Sequence, residues 1–348
     1  MKTIKMALLI LFIASIVVGC GNSNDFTVEG KVNVVTSFYP LYDFAQKIGG
    51  EHVNVINLVP AGVESHDWSP KPRDMSNITK ADVFIYNGAG FEGWVDDFLD
   101  SLKKDSSLLV VEAIHDVDLI EIGEDAHAEE EHAEDAHAEE EHAENAHAEE
   151  EHTEDAHADE AHADEHAGEE EHAHGDVDPH AWLSPLQAKA MAATIKEHLI
   201  EADPSHKDDY EANYSLLADR LQQLHDQFVQ TVAQAPKKEI VVSHEAFGYI
   251  ARDYGITQIG VMGLSPDAEP TVQRMNEITN FAKEHEIKYI LFEELVSPKL
   301  AETLAKSLDI ETLVLNPLEG LTEEQVTAKE DYFTIMAKNL TTIEKALQ

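Results

Sequence analysis

Three histidines stand where a chain could hold a metal ion: His66 in "VPAGVESHDWSPKPRDM", His180 in "DVDPHAWLSP" and His244 in "EIVVSHEAFGYIA". Neutral imidazole suits a borderline divalent cation such as zinc, and one Asp or Glu oxygen can complete a tetrahedral set. His66 follows the apolar run ending near Val59, in a loop bounded by Pro and Gly. His180 comes just ahead of a helical pattern, and His244 stands where a β-branched run stops. Loops at the carboxyl ends of parallel strands face the ligand crevice of an open α/β sheet. Any one of these residues alone reads equally well as a hydrogen-bonded structural histidine. Their recurrence at three comparable positions is what points to a shared ligand.

Residues so far apart in the chain need a framework to bring them together. "KVNVVTSF", "VNVINLV", "DVFIYN" and "LLVVEAI" are short β-branched runs that alternate with helix-like stretches such as "YDFAQKIGG" and "GWVDDFLDSLKK". Such alternation signals a parallel sheet covered by helices. Two longer helical segments follow. In the second, Tyr214, Leu217, Leu221, Leu224 and Phe228 recur at three- and four-residue spacing, and Pro236 ends the pattern. A new alternation then begins, with "EIVVSH", "ITQIGV", "YILFEEL" and "ETLVLN" as strands. The expected fold is α/β: two lobes, each a parallel β-sheet flanked by helices, joined by one long rigid helix. The expected division is a lobe at 31–205, a linking helix at 206–235 and a lobe at 236–348. A cleft between two such lobes is a favoured ligand site.

Between the first two histidines lies a segment of different character. From Glu121 to Asp178 there is no Lys or Arg, and a His stands at every fifth position from His127 to His162. A five-residue step turns each successive ring by about 140° around a helix axis, so no single face is built. So acidic a run, almost without large apolar residues, cannot offset its ordering entropy by burial and is expected to be a disordered insertion within the first lobe. Acids alone would make a solvated spacer. The regular histidines suggest an accessory metal collector with several weak sites.

Charge and targeting signals bound the function. The formal net charge is −45, and 26 of the 69 acidic residues belong to the insertion. The remainder is still strongly acidic, which repels phosphate backbones, so no nucleic-acid partner is expected. At the N-terminus, Lys2 and Lys5 precede the apolar run Ala7 to Val18, too short to span a bilayer but suited to an export signal at 1–19. It runs into "VVGC", which resembles the bacterial lipobox, with Cys20 as the acylated residue and a polar tether to about residue 30. Cys20 is the only cysteine, so no intramolecular disulfide can form. An extracytoplasmic location with lipid anchoring to the cell membrane follows from that resemblance.

Taken together, "SFYPLYDFAQKIGG", "SHDWSPKPRDM", "DPHAWLSP", "SHEAFGYIARDYGI", "GLSPDAEPT" and "LNPLEGLTEEQ" resemble segments of the solute-binding lipoproteins of bacterial zinc ABC importers. These form the metal-specific class of periplasmic-binding-protein-like folds, and the resemblance runs from about Lys31 to the C-terminus. It implies His66, His180 and His244 as Zn²⁺ ligands. The fourth position in the family is an acid or water. It maps to Glu319 of "NPLEG", with Glu293 and Glu294 of "LFEELVSP" as competing acids at the end of a predicted strand. The implied partners are zinc, an ABC permease with its ATPase, and the membrane surface through Cys20, with the protein itself a monomer. Manganese-binding relatives carry a second carboxylate where this chain has His244. Three imidazoles with one carboxylate form a softer set that favours zinc.

Other classes fit less well. Gly88, Gly90 and Gly93 of "GAGFEG" satisfy G-x-G-x-x-G, and Glu112 follows at about the right distance for a dinucleotide site. They follow a later strand rather than the first, and a tight strand-to-helix turn explains them. A zinc hydrolase would need an open coordination position, and no H-E-x-x-H motif occurs. No enzymatic activity is expected. A manganese-binding member of the same family, or a surface adhesin on the same fold, are the remaining alternatives.

Overall fold

The computed structural model describes residues 26–122, 177–266 and 270–348. The export signal, Cys20 and almost all of the His-rich insertion lie outside the described residues.

The first sheet contains β1 (Val32–Thr36), β2 (Val53–Asn57), β3 (Val83–Tyr86) and β4 (Leu109–Glu112), in the order β2-β1-β3-β4 with every pair parallel. β1 is buried at all five positions. Continuous burial of a β-branched run is what a parallel sheet covered on both faces requires. Its helices are α1 (Tyr39–Gly49), α2 (Pro72–Ile78) and α3 (Val95–Ser101), followed by α4 (Pro185–Ala202) and the long α5 (Lys207–Gln234). The second sheet repeats the plan with β5 (Glu239–Val242), β6 (Thr257–Gly260), β7 (Tyr289–Phe292) and β8 (Glu311–Val314), in the order β6-β5-β7-β8, again all parallel. Its helices are α6 (Gly248–Tyr254), α7 (Val272–Glu284), α8 (Lys299–Leu308), α9 (Glu323–Thr327) and α10 (Tyr332–Ala346). The expected two-lobe α/β fold is therefore observed.

α5 carries the predicted stripe. Leu217, Leu221, Leu224 and Phe228 are buried, with Tyr210 and Val232 extending the row at both ends, while Tyr214 is half-buried. At 1.5 Å per residue its 28 residues make a strut of about 42 Å. One apolar cluster runs from Val34 and Phe44 of the first lobe through this helix to Ile240, Tyr332 and Leu347 of the second. The lobes are thus fused through a shared core. Polar contacts reinforce the seam: Asp331, which caps α10, lies 3.2 Å from Lys47 of α1 and 3.7 Å from Arg220 of α5.

The glycine-rich turn after β3 is not a phosphate cradle. The Glu92 carboxylate accepts the backbone N–H groups of Asn87 at 2.7 Å and Gly88 at 3.2 Å, and the Ser37 hydroxyl at 2.5 Å. The donors that a dinucleotide would use are consumed internally. Gly88 has φ +97°, and a Cβ there would collide with the Glu112 carboxylate, so Glu112 packs under the turn. Among the described residues no helix is long and apolar enough to cross a membrane.

Leu221→Ala should lower unfolding stability by about 2–5 kcal/mol, because it empties a fully buried position in the shared core. Leu216→Ala, at a residue 67 % exposed on the same helix, should change it by no more than about 0.5 kcal/mol. Urea titration of the two variants tests the difference.

Candidate metal centre

All four proposed ligands sit beyond the carboxyl ends of strands. His66 lies in the loop after β2, His180 in the chain that returns after β4, His244 two residues past β5 and Glu319 five residues past β8. The first two come from one lobe and the last two from the other.

The structure brings these four together. His66 Nε2 lies 3.3 Å from His180 Nε2 and 3.3 Å from Glu319 Oε1. Glu319 Oε1 lies 3.6 Å from His180 Nε2 and 3.5 Å from His244 Nε2. One ligand atom from each residue falls within 4.8 Å of all the others. For a tetrahedral zinc ion with bonds of about 2.0 Å, the edge between neighbouring donors is about 3.3 Å. The four separations of 3.3–3.6 Å lie at or slightly above that edge. His180 and His244 are fully buried and Glu319 is 2 % exposed. His244 Nε2 and Glu319 Oε1 have no hydrogen-bond partner among the described residues. Buried polar atoms that converge on one point without satisfying each other are donors suited to hold a cation.

Two of the imidazoles are aimed by what holds their other side. Asp178 accepts both the backbone N–H of His180, at 2.9 Å, and its Nδ1, at 2.8 Å, which leaves Nε2 facing the centre. Glu293 holds only the ring of His244, 2.6 Å from its Nδ1, and also accepts the Ser243 hydroxyl. Such carboxylate partners fix the tautomer and raise ligand basicity. Glu64 works on the backbone instead. Its two oxygens take the N–H groups of His66 at 2.9 Å and Asp67 at 3.1 Å, which curls the loop that carries His66. Ser65 Oγ then donates to Glu319 O at 3.0 Å, and Gly62 N donates to Leu321 O at 2.8 Å, tying that loop to the opposite lobe. An aromatic wall of Phe91 and Trp182 closes the inner side, with Phe91 edge-on to His66 at 4.9 Å between ring centroids.

The electrostatics are those of a site that wants positive charge. Burial alone would lower all three imidazoles. It does lower His180, against the pull of Asp178. At His66 burial is overcome by Glu319 and Glu64, and the net shift is upward. At His244 it is overcome by Glu293 and Glu319, which hold the ring up to about 10. Glu319 is driven well below the usual carboxylate range: burial would raise it, but His66 and His244 outweigh that. Glu64 is pushed up to about 7 by burial and by its neighbour Glu319. Four carboxylates therefore surround three rings, and a cation neutralises what protons otherwise must.

Of the acids weighed for the fourth position, Glu319 points to the centre. Glu293 lies behind His244 on its Nδ1 side. Glu294 turns away, accepting Asn316 Nδ2 at 2.5 Å and Gln325 Nε2 at 2.6 Å. Sequence reasoning did not find Asp178 or Glu64 at all. Both lie two residues before a ligand histidine, in "DPH" and "ESH", and that spacing was the available signal.

Comparison with known proteins agrees with this geometry. Residues 34–346 match the family model described as zinc-uptake complex component A, periplasmic. The chain is 35 % identical over 345 residues to the zinc-binding lipoprotein AdcA of Streptococcus pneumoniae, covering 99 % of this chain and 61 % of that protein, so it spans about six tenths of that relative's length. It is 37 % identical over 336 residues to the high-affinity zinc uptake system protein ZnuA of Bacillus subtilis, covering 95 % and 94 % respectively. Among solved structures, the Zn(II)-bound ZnuA-like domain of Streptococcus pneumoniae AdcA aligns with a TM-score of 0.69 at 34 % identity, over 91 % of this chain and 99 % of that one. With its fold, its converging side chains and a family match over nine tenths of its length, the chain belongs to the zinc-uptake complex component A family.

Proposed function

We propose that the protein captures Zn²⁺ outside the cytoplasm in the cleft between its lobes and delivers it to an ABC permease driven by an ATPase. The observation that carries this reading is the set of four buried donor atoms, from both lobes, at the spacing of a tetrahedral zinc shell. In it His66, His180, His244 and Glu319 are the ligands, and three imidazoles with one carboxylate favour zinc over manganese. Four protein donors leave no coordinated water to activate, so the protein is a carrier and not a hydrolase. The working division is a lobe at 31–205, the linking helix at 206–235 and a lobe at 236–348. The protein acts as a monomer, held at the membrane surface by acylation of Cys20, and its family membership supports a transport complex as its setting. The His-rich segment 121–178 serves as an accessory collector that raises local zinc concentration.

Replacing a carboxylate behind a ligand histidine commonly costs 10–100-fold in metal affinity, so removing a ligand itself should cost more. His66→Ala, His180→Ala and His244→Ala should each weaken zinc binding by more than about 100-fold in chelator competition. Near-parental affinity in any two of them would sink the assignment. Deleting about Glu124 to Gly175 should lower zinc stoichiometry in a calorimetric titration while one tight site survives. Loss of the tight site on deletion would contradict the collector role.

A further inference from the structure

His180 belongs by sequence to the first lobe, yet the segment that carries it is held on both sides by the second. Its support begins at Tyr249, the second residue of α6, whose ring is fully buried. The Tyr249 hydroxyl donates to the backbone carbonyl of Asp178 at 2.8 Å and accepts the N–H of Ile120 at 3.3 Å. Asp178 N in turn donates to Ile120 O at 2.9 Å, beside an antiparallel bridge between Glu121 and Val177. One phenol therefore pins both chain segments at the point where they meet. The same Asp178 uses its side chain to hold His180 Nδ1.

The rest of α6 strengthens the grip. The Arg252 guanidinium lies 4.9 Å over the Tyr249 ring and donates to Asp118 O at 2.6 Å. Asp253 accepts Ser184 Oγ at 2.6 Å and Gln187 Nε2 at 2.9 Å, on the far side of His180. Gly248, the first residue of the helix, lies so close to Asp178 that a Cβ would stand 2.3 Å from its Oδ2. The helix starts four residues after His244, so one short rigid element links the two ligands.

We infer that Tyr249 is a positioning residue of the metal centre, a hydroxyl from the second lobe that sets the angle of the first-lobe His180 through Asp178. The inference rests on the zinc-binding reading above. A single hydrogen bond to the Asp178 peptide fixes the carboxylate that fixes the ring, and α6 makes the approach of His180 to the ion depend on how the lobes sit. Removing the hydroxyl leaves the apolar ring in place and frees the Asp178 carbonyl together with the Ile120 N–H beside it. It does so without touching any donor atom.

The test is Tyr249→Phe in two backgrounds, the full chain and its His180→Ala variant, with zinc affinity by chelator competition, the d–d absorption of bound Co²⁺, and the thermal midpoint. In the full chain, Tyr249→Phe should weaken zinc by about tenfold and alter the Co²⁺ band intensities while the thermal midpoint stays close to the parent. In the His180→Ala background it should cost no more than about twofold, since the ring it positions is gone. Gly248→Ala, which pushes on the Asp178 carboxylate and keeps the hydroxyl, should reproduce the affinity loss and provides a second route if the phenylalanine variant folds poorly. Unchanged affinity in both variants, or an equal loss with and without His180, overturns the inference. A parent chain with no tight zinc site overturns the functional reading itself, and is distinguished by failing before any variant is made.

Discussion

Burying negative charge without a partner is the constraint around which this molecule is organised. Glu319, Glu293, Asp178 and Glu64 all gather where the two lobes meet, and three of them are almost fully enclosed. An isolated buried carboxylate costs several kcal/mol, so such a group persists only when paired. Here three are matched to imidazoles or backbone donors, and the fourth, Glu319, projects one oxygen toward three ring nitrogens. A cation at that point would offset the buried negative charge. Two of the rings have their outer nitrogens held by Asp178 and Glu293, which aims their inner nitrogens toward Glu319.

That convergence depends on the repeated architecture of the lobes. Each sheet has the same strand order, with its central β1 or β5 flanked by later strands, so both open their carboxyl ends toward the same crevice. α5 holds the two crevices face to face, and the shared apolar cluster leaves no flexible linker between the lobes. Contacts such as Trp182 Nε1 to Pro317 O at 2.8 Å and Tyr332 OH to Trp182 O at 2.7 Å stitch the turn after His180 to the opposite lobe. Packing of this kind opposes a wide hinge opening.

Much of this was legible in the sequence because local signals and tertiary demands agreed. The β-branched runs became parallel strands, the stripe on α5 became its buried face, and the three histidines, one just past β5, one in the loop after β2 and one just ahead of a helical turn, came together. Other features were illegible for physical reasons. Glu293 read as a possible ligand because it ends β7. Only the parallel pairing of β5 with β7 reveals that it lies behind His244, 49 residues earlier in the chain. Glu64 acts through backbone N–H groups, which sequence does not advertise. Tyr210 and Val232 extend the buried row of α5 because the core continues past the window in which the period is strongest. The glycine motif after β3 has the right spacing for phosphate, but Glu92 two residues past Gly90 occupies its donors, a contact that pattern matching does not weigh.

Complete enclosure of the four donors has a kinetic side. With His180 and His244 at 0 % exposure, Glu319 at 2 % and only the His66 residue partly exposed, the centre is largely shielded from open solvent. Entry to so shielded a centre favours a path on which side chains or loops part, motions that take about microseconds to seconds. A centre gated in this way fills no faster than it opens, however abundant the metal becomes.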